Sequence, residues 1–319
     1  MDSLDFAIYR FLSPGGEARF WAGRRIIDPM VTPREISERV GISESGVRSR
    51  LHHLAERGFL RDKAVIPNPS LFGMRGFVAD LLVHQPGEAD RLLRDIGLVE
   101  GVVFTRDLMD EDERKIQVHF FSESESTASR QAALLGRLSP SAKAVTAQPY
   151  YIPPCSRELS PLGWRVLSRV FHRPDTTIAE LAKEVGVTLK TAARSYHQLV
   201  DSHACWWTHG PDSEEFPLAL VCVDLRGPDD REAVAGWVQE EIRNWIPVGS
   251  DGFGLEPDRA TLVVAGLVPA DAPTVLERYL RKLAGREGVA RIRRTFPLGS
   301  AAYPAWFEER IDERARAPP

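Results

Sequence analysis

The sequence predicts an α+β protein of two tandem units, each a winged pair of short helices followed by an α/β sandwich. Three observations predict it. A helical block recurs 145 residues further on, the same order of strand and helix periods follows each copy, and a proline-rich joint at 149–161 (PYYIPPCSRELSP) separates the two.

The repeat governs the reading, because self-likeness at a fixed spacing reflects architecture. VTPREISERVGISESGVRSRLHHL (31–54) aligns without a gap to TIAELAKEVGVTLKTAARSYHQL (177–199). Glu35 meets Glu180, Val40 meets Val185, Gly41 meets Gly186, His52 meets His197 and Leu54 meets Leu199. In the first copy Ile36 and Val40 lie one turn apart on a helical face. Ser37, alanine in the second copy, is small enough for close helix approach, and Gly41 permits the left-handed backbone that ends a helix. Ser43 and Thr188 are N-caps for the helix that follows. That helix buries Val47, Leu51 and Leu54 at i, i+4, i+7 and stops at Gly58. This is the geometry of a helix-turn-helix, with Gly58–Ile66 as its wing.

Each block leads into a strand–helix–strand–strand–helix–strand order. In the first half these are Phe77–Val83, Gly87–Ile96, Val99–Arg106, Lys115–Phe121, Glu125–Leu138 and Ala144–Tyr150. In the second they are Leu218–Asp224, Asp229–Trp245, a weak strand near Asp251–Leu255, Arg259–Leu267, Pro273–Arg286 and Ala290–Phe296. The βαββαβ order predicts a ferredoxin-like sandwich. The boundaries follow: winged helix-turn-helix 1 at 1–66, sandwich 1 at 67–152, winged helix-turn-helix 2 at 153–212, sandwich 2 at 213–300, and a C-terminal helix and tail at 301–319. The stretch 13–31 reads as an extra helix burying Phe20, Trp21 and Ile26. The acidic run Asp107–Glu113 reads as a solvated hairpin turn.

Composition is that of a globular protein, 43% hydrophobic and 27% charged. No run of about 18 apolar residues is present, so no membrane helix is expected. Residues 1–9 lack the pattern of a signal peptide. Three scattered cysteines suit a reducing cytoplasm better than a disulfide framework. The net charge of −4 is unusual for a nucleic-acid binder, but residues 18–63 hold ten bases against six acids. A local patch can differ in sign from the whole.

Through TPREISERVGISESGVRSRLHHLAERGFL (32–60), IPNPSLFG (66–73) and, more loosely, ELAKEVGVTLKTAARSYHQL (180–199), the chain resembles the Lrp/AsnC (feast/famine) transcription regulators. The resemblance implies a sequence-specific DNA-binding regulator rather than an enzyme, acting as a fused pseudo-dimer. It implies double-stranded DNA, a small-molecule effector at the sandwich interface and a further copy of the chain as partners, with no cofactor. Stepping 100° per residue around the second helix points Ser45, Arg48, Ser49 and His52 outward, with Arg50 and Arg57 at its flanks. Lys190, Arg194 and His197 take the same face in the second copy. Arginine reads guanine bidentately, while Arg24, Arg25, Arg61 and Lys63 suit phosphates.

Two alternatives stand beside this reading. The architecture also resembles the siroheme decarboxylases, which carry out tetrapyrrole chemistry on it. A protein-interaction adaptor with degenerate helix pairs is the other. His197, His203, Cys205 and His209 match no zinc spacing, so no metal is expected there. His119, in an apolar strand, reads as a core or interface residue.

Overall fold

The computed structural model describes residues 3–12, 19–21, 24–58, 60–84, 87–110, 113–139, 145–150, 152–210, 218–227, 229–241, 245–248, 261–267 and 273–316. Helix α1 (Ser3–Phe11) and strands β1 (Arg19–Trp21) and β2 (Arg24–Ile27) precede helices α2 (Pro33–Val40) and α3 (Glu44–Glu56). The corresponding later helices are α6 (Pro161–His172), α7 (Ile178–Val185) and α8 (Leu189–Asp201). The two short pairs share their stop and start signals. Thr32 and Thr177 form capping boxes with Glu35 and Glu180, and Gly41 and Gly186 both sit at φ +72°. Ser43 and Thr188 cap α3 and α8 through side-chain oxygens that accept backbone N–H groups.

Between and after these lie β3 (Arg61–Pro67), β4 (Arg75–Val83), α4 (Glu88–Ile96), β5 (Val102–Asp110), β6 (Arg114–Ser122), α5 (Glu125–Leu138) and β7 (Gln148–Tyr150). The later part holds β8 (Cys205–Gly210), β9 (Leu218–Leu225), α9 (Asp230–Glu241), β10 (Trp245–Val248), β11 (Thr261–Leu267), α10 (Pro273–Ala284), β12 (Val289–Ala302) and α11 (Ala305–Arg316). Strands β4 to β7 and β9 to β12 join in one eight-stranded sheet of order β10-β11-β9-β12-β5-β6-β4-β7. The join is antiparallel, from Thr295 opposite Asp110 to Ala302 opposite Phe104, with an irregularity between Pro297 and Gly299.

Several expectations are corrected. The wings are not free hairpins: β3 and β8 pair with each other, and β1-β2-β8-β3 make a second sheet. An unpaired strand edge leaves backbone groups unsatisfied, and each strand supplies the other's partner. The 13–31 stretch contributes the β1–β2 strands instead of a helix, with Ile26 buried; its remaining calls, including the side chains of Phe20, Trp21, Arg24 and Arg25, lie outside the described residues. Strand β5 starts later and runs to Asp110, so Asp107 is no solvated turn residue. Its carboxylate is buried and accepts from Arg114. The expected strand near Asp251–Leu255 lies outside the described residues, and β10 occupies Trp245–Val248. Helix α11 is placed as expected, with Phe307 and Ile311 buried.

Asn68, fully buried, ties three segments together where β3 leaves its sheet. Its amide nitrogen donates to Pro153 O (2.8 Å) and His203 O (2.7 Å), and its side-chain oxygen accepts from Ser70 N (2.9 Å). Its own N–H donates to Ala204 O. His203 takes φ +58°, alone in this among the described non-glycine residues, and so turns its carbonyl towards Asn68. Truncating Asn68 strands buried carbonyls, each costing about 1–3 kcal/mol. Asn68→Ala is therefore expected to lower stability by about 2–4 kcal/mol, read as a lower urea midpoint. An unchanged midpoint would remove Asn68 from this role.

Candidate active site

Side chains alternate across a strand, so β6 sorts its residues into two sets. Ile116, Val118 and Phe120 pack with Leu92 and Ile96 of α4 and Ala128 and Leu135 of α5. Lys115, Gln117, His119 and Phe121 take the opposite face. A register shift between Val102 and Phe104 sets Phe104 opposite His119, Arg106 opposite Gln117 and Leu108 opposite Lys115. Asp80 of β4 stands across from Gln117. Tyr150 lies over Gly76, where a Cβ would come within 2.6 Å of its ring, so only glycine admits this approach.

This face is turned inward. Burial pushes the Cys222 thiol on β9 up, and the charges it feels are Arg293, Lys115, Asp224 and Asp80. Lys115 and Asp80 belong to β6 and β4, three and four strands away in the sheet order. In a flat sheet those strands would be about 14–19 Å from β9 at the usual spacing. Lys115 and Asp80 nevertheless lie within electrostatic reach of Cys222.

The buried polar groups form a chain. Lys115 Nζ donates to Asp80 Oδ2 (2.7 Å), Gln117 Nε2 donates to Asp80 Oδ1 (3.2 Å), and Gln117 Oε1 meets His119 Nε2 (3.2 Å). His119 Nδ1 is buried with no hydrogen-bond partner. Phe104 and Tyr150 meet the imidazole edge-on at 5.9 and 5.6 Å between centroids. Burial, and then the charge of Arg106, pull the His119 pKa down to about 3, so the ring is neutral near pH 7. Burial brings the Arg106 guanidinium down to about 10. It lies over the Phe104 ring and has no carboxylate partner among the described residues. A half-buried cation lacking a counter-ion among the described residues is costly to hold there.

The chain is similar along its whole length to a siroheme decarboxylase. The crystal structure of the siroheme decarboxylase NirDL matches at TM-score 0.51 and 14% identity, over 98% of each chain. The same enzyme in complex with an iron-uroporphyrin III analogue matches at 0.52 and 13%, again over 98% of each. AsnC of E. coli matches over 44% of this chain and 93% of its own, at TM-score 0.31 and 12% identity. No protein-family model and no curated protein sequence matches the chain. The expectation of a non-enzymatic protein is overturned by the full-length likeness to NirDL, which carries an enzyme's fold from end to end.

The residues expected to contact DNA lie on other elements. Ser45, Arg48, Ser49 and His52 are exposed on α3, as the helical periodicity requires. Their charges are largely matched: Arg48 pairs with Glu44, His52 faces Glu56 at 3.3 Å, and Arg50 reaches back to buried Asp5. Arg57 is half-buried, and Lys63 pairs with Asp175. Arg61 pairs through its backbone with Gly210, its side chain lying outside the described residues. On α8, Lys190, Arg194 and His197 are exposed with no ion pair among the described residues. Cys205 and His209 are buried while His197 and His203 are exposed, and no metal-holding group occurs among the described residues. No helix among them is long and apolar enough to cross a membrane.

The sequence alone did not single out Asp80, Arg106 and Gln117, and it marked His119 as a core or interface residue; His119 is buried. The available signal was the alternation Lys115, Gln117, His119 in a strand whose other face is apolar from Ile116 to Phe120.

The depressed His119 pKa has a direction in stability. The unfolded chain takes up this proton near 6.5 and the folded chain only near 3, so the contribution is complete above 6.5 and is lost as pH falls towards 3. Between pH 7 and pH 5 the wild type is expected to lose about 2 kcal/mol more than His119→Phe, measured by urea unfolding at both pH values. Equal losses would mean that His119 titrates normally.

Proposed function

We propose that the chain is a tetrapyrrole-directed enzyme of the siroheme decarboxylase type, built as two tandem winged-helix and sandwich units divided as at 1–66, 67–152, 153–212 and 213–300. The observation that carries the reading is the half-buried Arg106 guanidinium, without a carboxylate partner among the described residues, beside a neutral imidazole whose Nδ1 is buried with no hydrogen-bond partner among them. A siroheme-like macrocycle has an apolar face and carboxylates at its rim. The aromatic edges of Phe104 and Tyr150 suit the former, and Arg106 the latter.

Decarboxylation breaks the bond between a carbon and its carboxylate, leaves the electron pair on that carbon, and replaces carbon dioxide with a proton. A guanidinium holding the departing carboxylate would stabilise the ground state. Arg106 therefore suits a carboxylate that stays and anchors the ring. That anion offsets the Arg106 field on His119 and raises the proton affinity of Nδ1, which can then hold a proton beside the reacting carbon.

The test is anaerobic incubation with siroheme, following the absorption spectrum for binding and the product mass for loss of carboxyl groups. Binding and carbon dioxide release are expected. Arg106→Leu should weaken binding about 10- to 100-fold, the worth of one hydrogen-bonded charge. Neither a spectral change nor decarboxylation in the wild type would refute the reading.

A second reading is carried by α8, whose exposed Lys190, Arg194 and His197 have no ion-pair partner among the described residues. It makes this helix a DNA-contacting surface. Lys190→Glu with Arg194→Glu should then flatten the slope of log affinity against log salt by about 2. An unchanged slope, or no binding to duplex DNA by the wild type, would dismiss it.

A further inference from the structure

We propose that Asp80 is a positioning residue for His119, acting through Gln117 to fix which imidazole nitrogen carries the hydrogen. The three stand in line on neighbouring strands. Asp80 Oδ2 accepts from Lys115 Nζ and Asp80 Oδ1 accepts from Gln117 Nε2, so both oxygens are engaged. A carboxylate has only acceptors to offer, and this settles the orientation of the Gln117 amide. Its nitrogen faces Asp80 and its oxygen faces His119. An oxygen in that place demands a donor, so His119 Nε2 carries the hydrogen. The lone pair is left on Nδ1, buried and without a partner.

Direction is thus passed along the chain by donor and acceptor complementarity, with no charge placed on the ring. Asp80 can do this while staying partly open to solvent, its side chain 41% exposed, because Gln117 and His119 are each only 9% exposed. Lys115 completes the arrangement by holding one carboxylate oxygen and leaving the other for Gln117. The consequence for catalysis rests on the decarboxylase reading: a lone pair at Nδ1 can take up and hold a proton, whereas an N–H there cannot.

The isosteric substitution Asp80→Asn reverses the logic. Lys115, a donor, keeps the oxygen of the new side-chain amide and turns its nitrogen towards Gln117. The Gln117 amide turns over, its nitrogen donates to His119 Nε2, and the hydrogen moves to Nδ1. Asp80→Glu preserves an acceptor and with it the original tautomer.

The experiment is ¹⁵N nuclear magnetic resonance of the full chain without ligand, with labelled histidine and the His119 signals assigned by their loss in His119→Phe. The wild type and Asp80→Glu are expected to show hydrogen on Nε2 alone, and Asp80→Asn hydrogen on Nδ1. Wild-type hydrogen on Nδ1 or shared between the nitrogens, or an unchanged tautomer in Asp80→Asn, overturns the proposal. In the siroheme assay, Asp80→Asn should lower kcat about tenfold or more with little change in KM. The resonance measurement needs no tetrapyrrole. An inverted tautomer without decarboxylation by the wild type refutes only the enzymatic reading, and decarboxylation with an unmoved tautomer refutes only the role of Asp80.

Discussion

The pairing of β5 with β12 is the constraint on which the rest of the structure depends. Strand β12 pairs with β9 along its first half and with β5 along its second, so one continuous strand serves two sets of neighbours. Without it β5 would present an open edge, and the polar face of β6 would meet water on the side now turned inward. Arg106 and His119 owe their perturbed protonation to that enclosure, since burial is the leading cause for both. Their chemistry is a product of long-range strand pairing, although the two residues lie only thirteen positions apart in the chain.

Enclosure also explains why so many polar groups are tolerated there. Most are satisfied in sequence, Lys115 by Asp80, Asp80 by Gln117, and Gln117 by His119. His119 Nδ1 breaks the pattern, and the Arg106 guanidinium, a cation with no carboxylate partner among the described residues, is close enough to depress the imidazole's proton affinity. Buried polar groups are normally paired, so the bare Nδ1 of His119 stands out in this network.

What the sequence disclosed follows the range of the interactions. Thr32, Gly41 and Ser43, with Thr177, Gly186 and Thr188, act on residues within a turn of themselves, and the helix pairs they delimit were legible. Strands such as Phe77–Val83, Lys115–Phe121 and Leu218–Asp224 were legible through their apolar patterns, whereas β5 lies downstream of the expected Val99–Arg106, β12 runs past the expected Phe296 to Ala302, and the strand expected near Asp251–Leu255 lies outside the described residues. The pairing of β3 with β8 was not legible, because nothing in Arg61–Pro67 names a partner some 140 residues away. For the same reason Lys63 read as a free phosphate contact, yet it meets Asp175. His119 was seen, but its meaning depends on Arg106 across the strand and on Asp80 across the next. Donor and acceptor order along such a chain is fixed only when the strands are in register.

The late position of β12 has a consequence for how the protein is made. About 180 residues separate the end of β5 from the start of β12. At typical translation speeds of about 5–20 residues per second, the nascent N-terminal half waits on the order of 10–40 s for its neighbouring strand. Throughout that interval the backbone of β5 is a template to which a stranger, or another ribosome's unfinished product, can attach. Cellular helpers that shield such margins, and the pace of codons between the two strands, therefore bear directly on the yield of this protein.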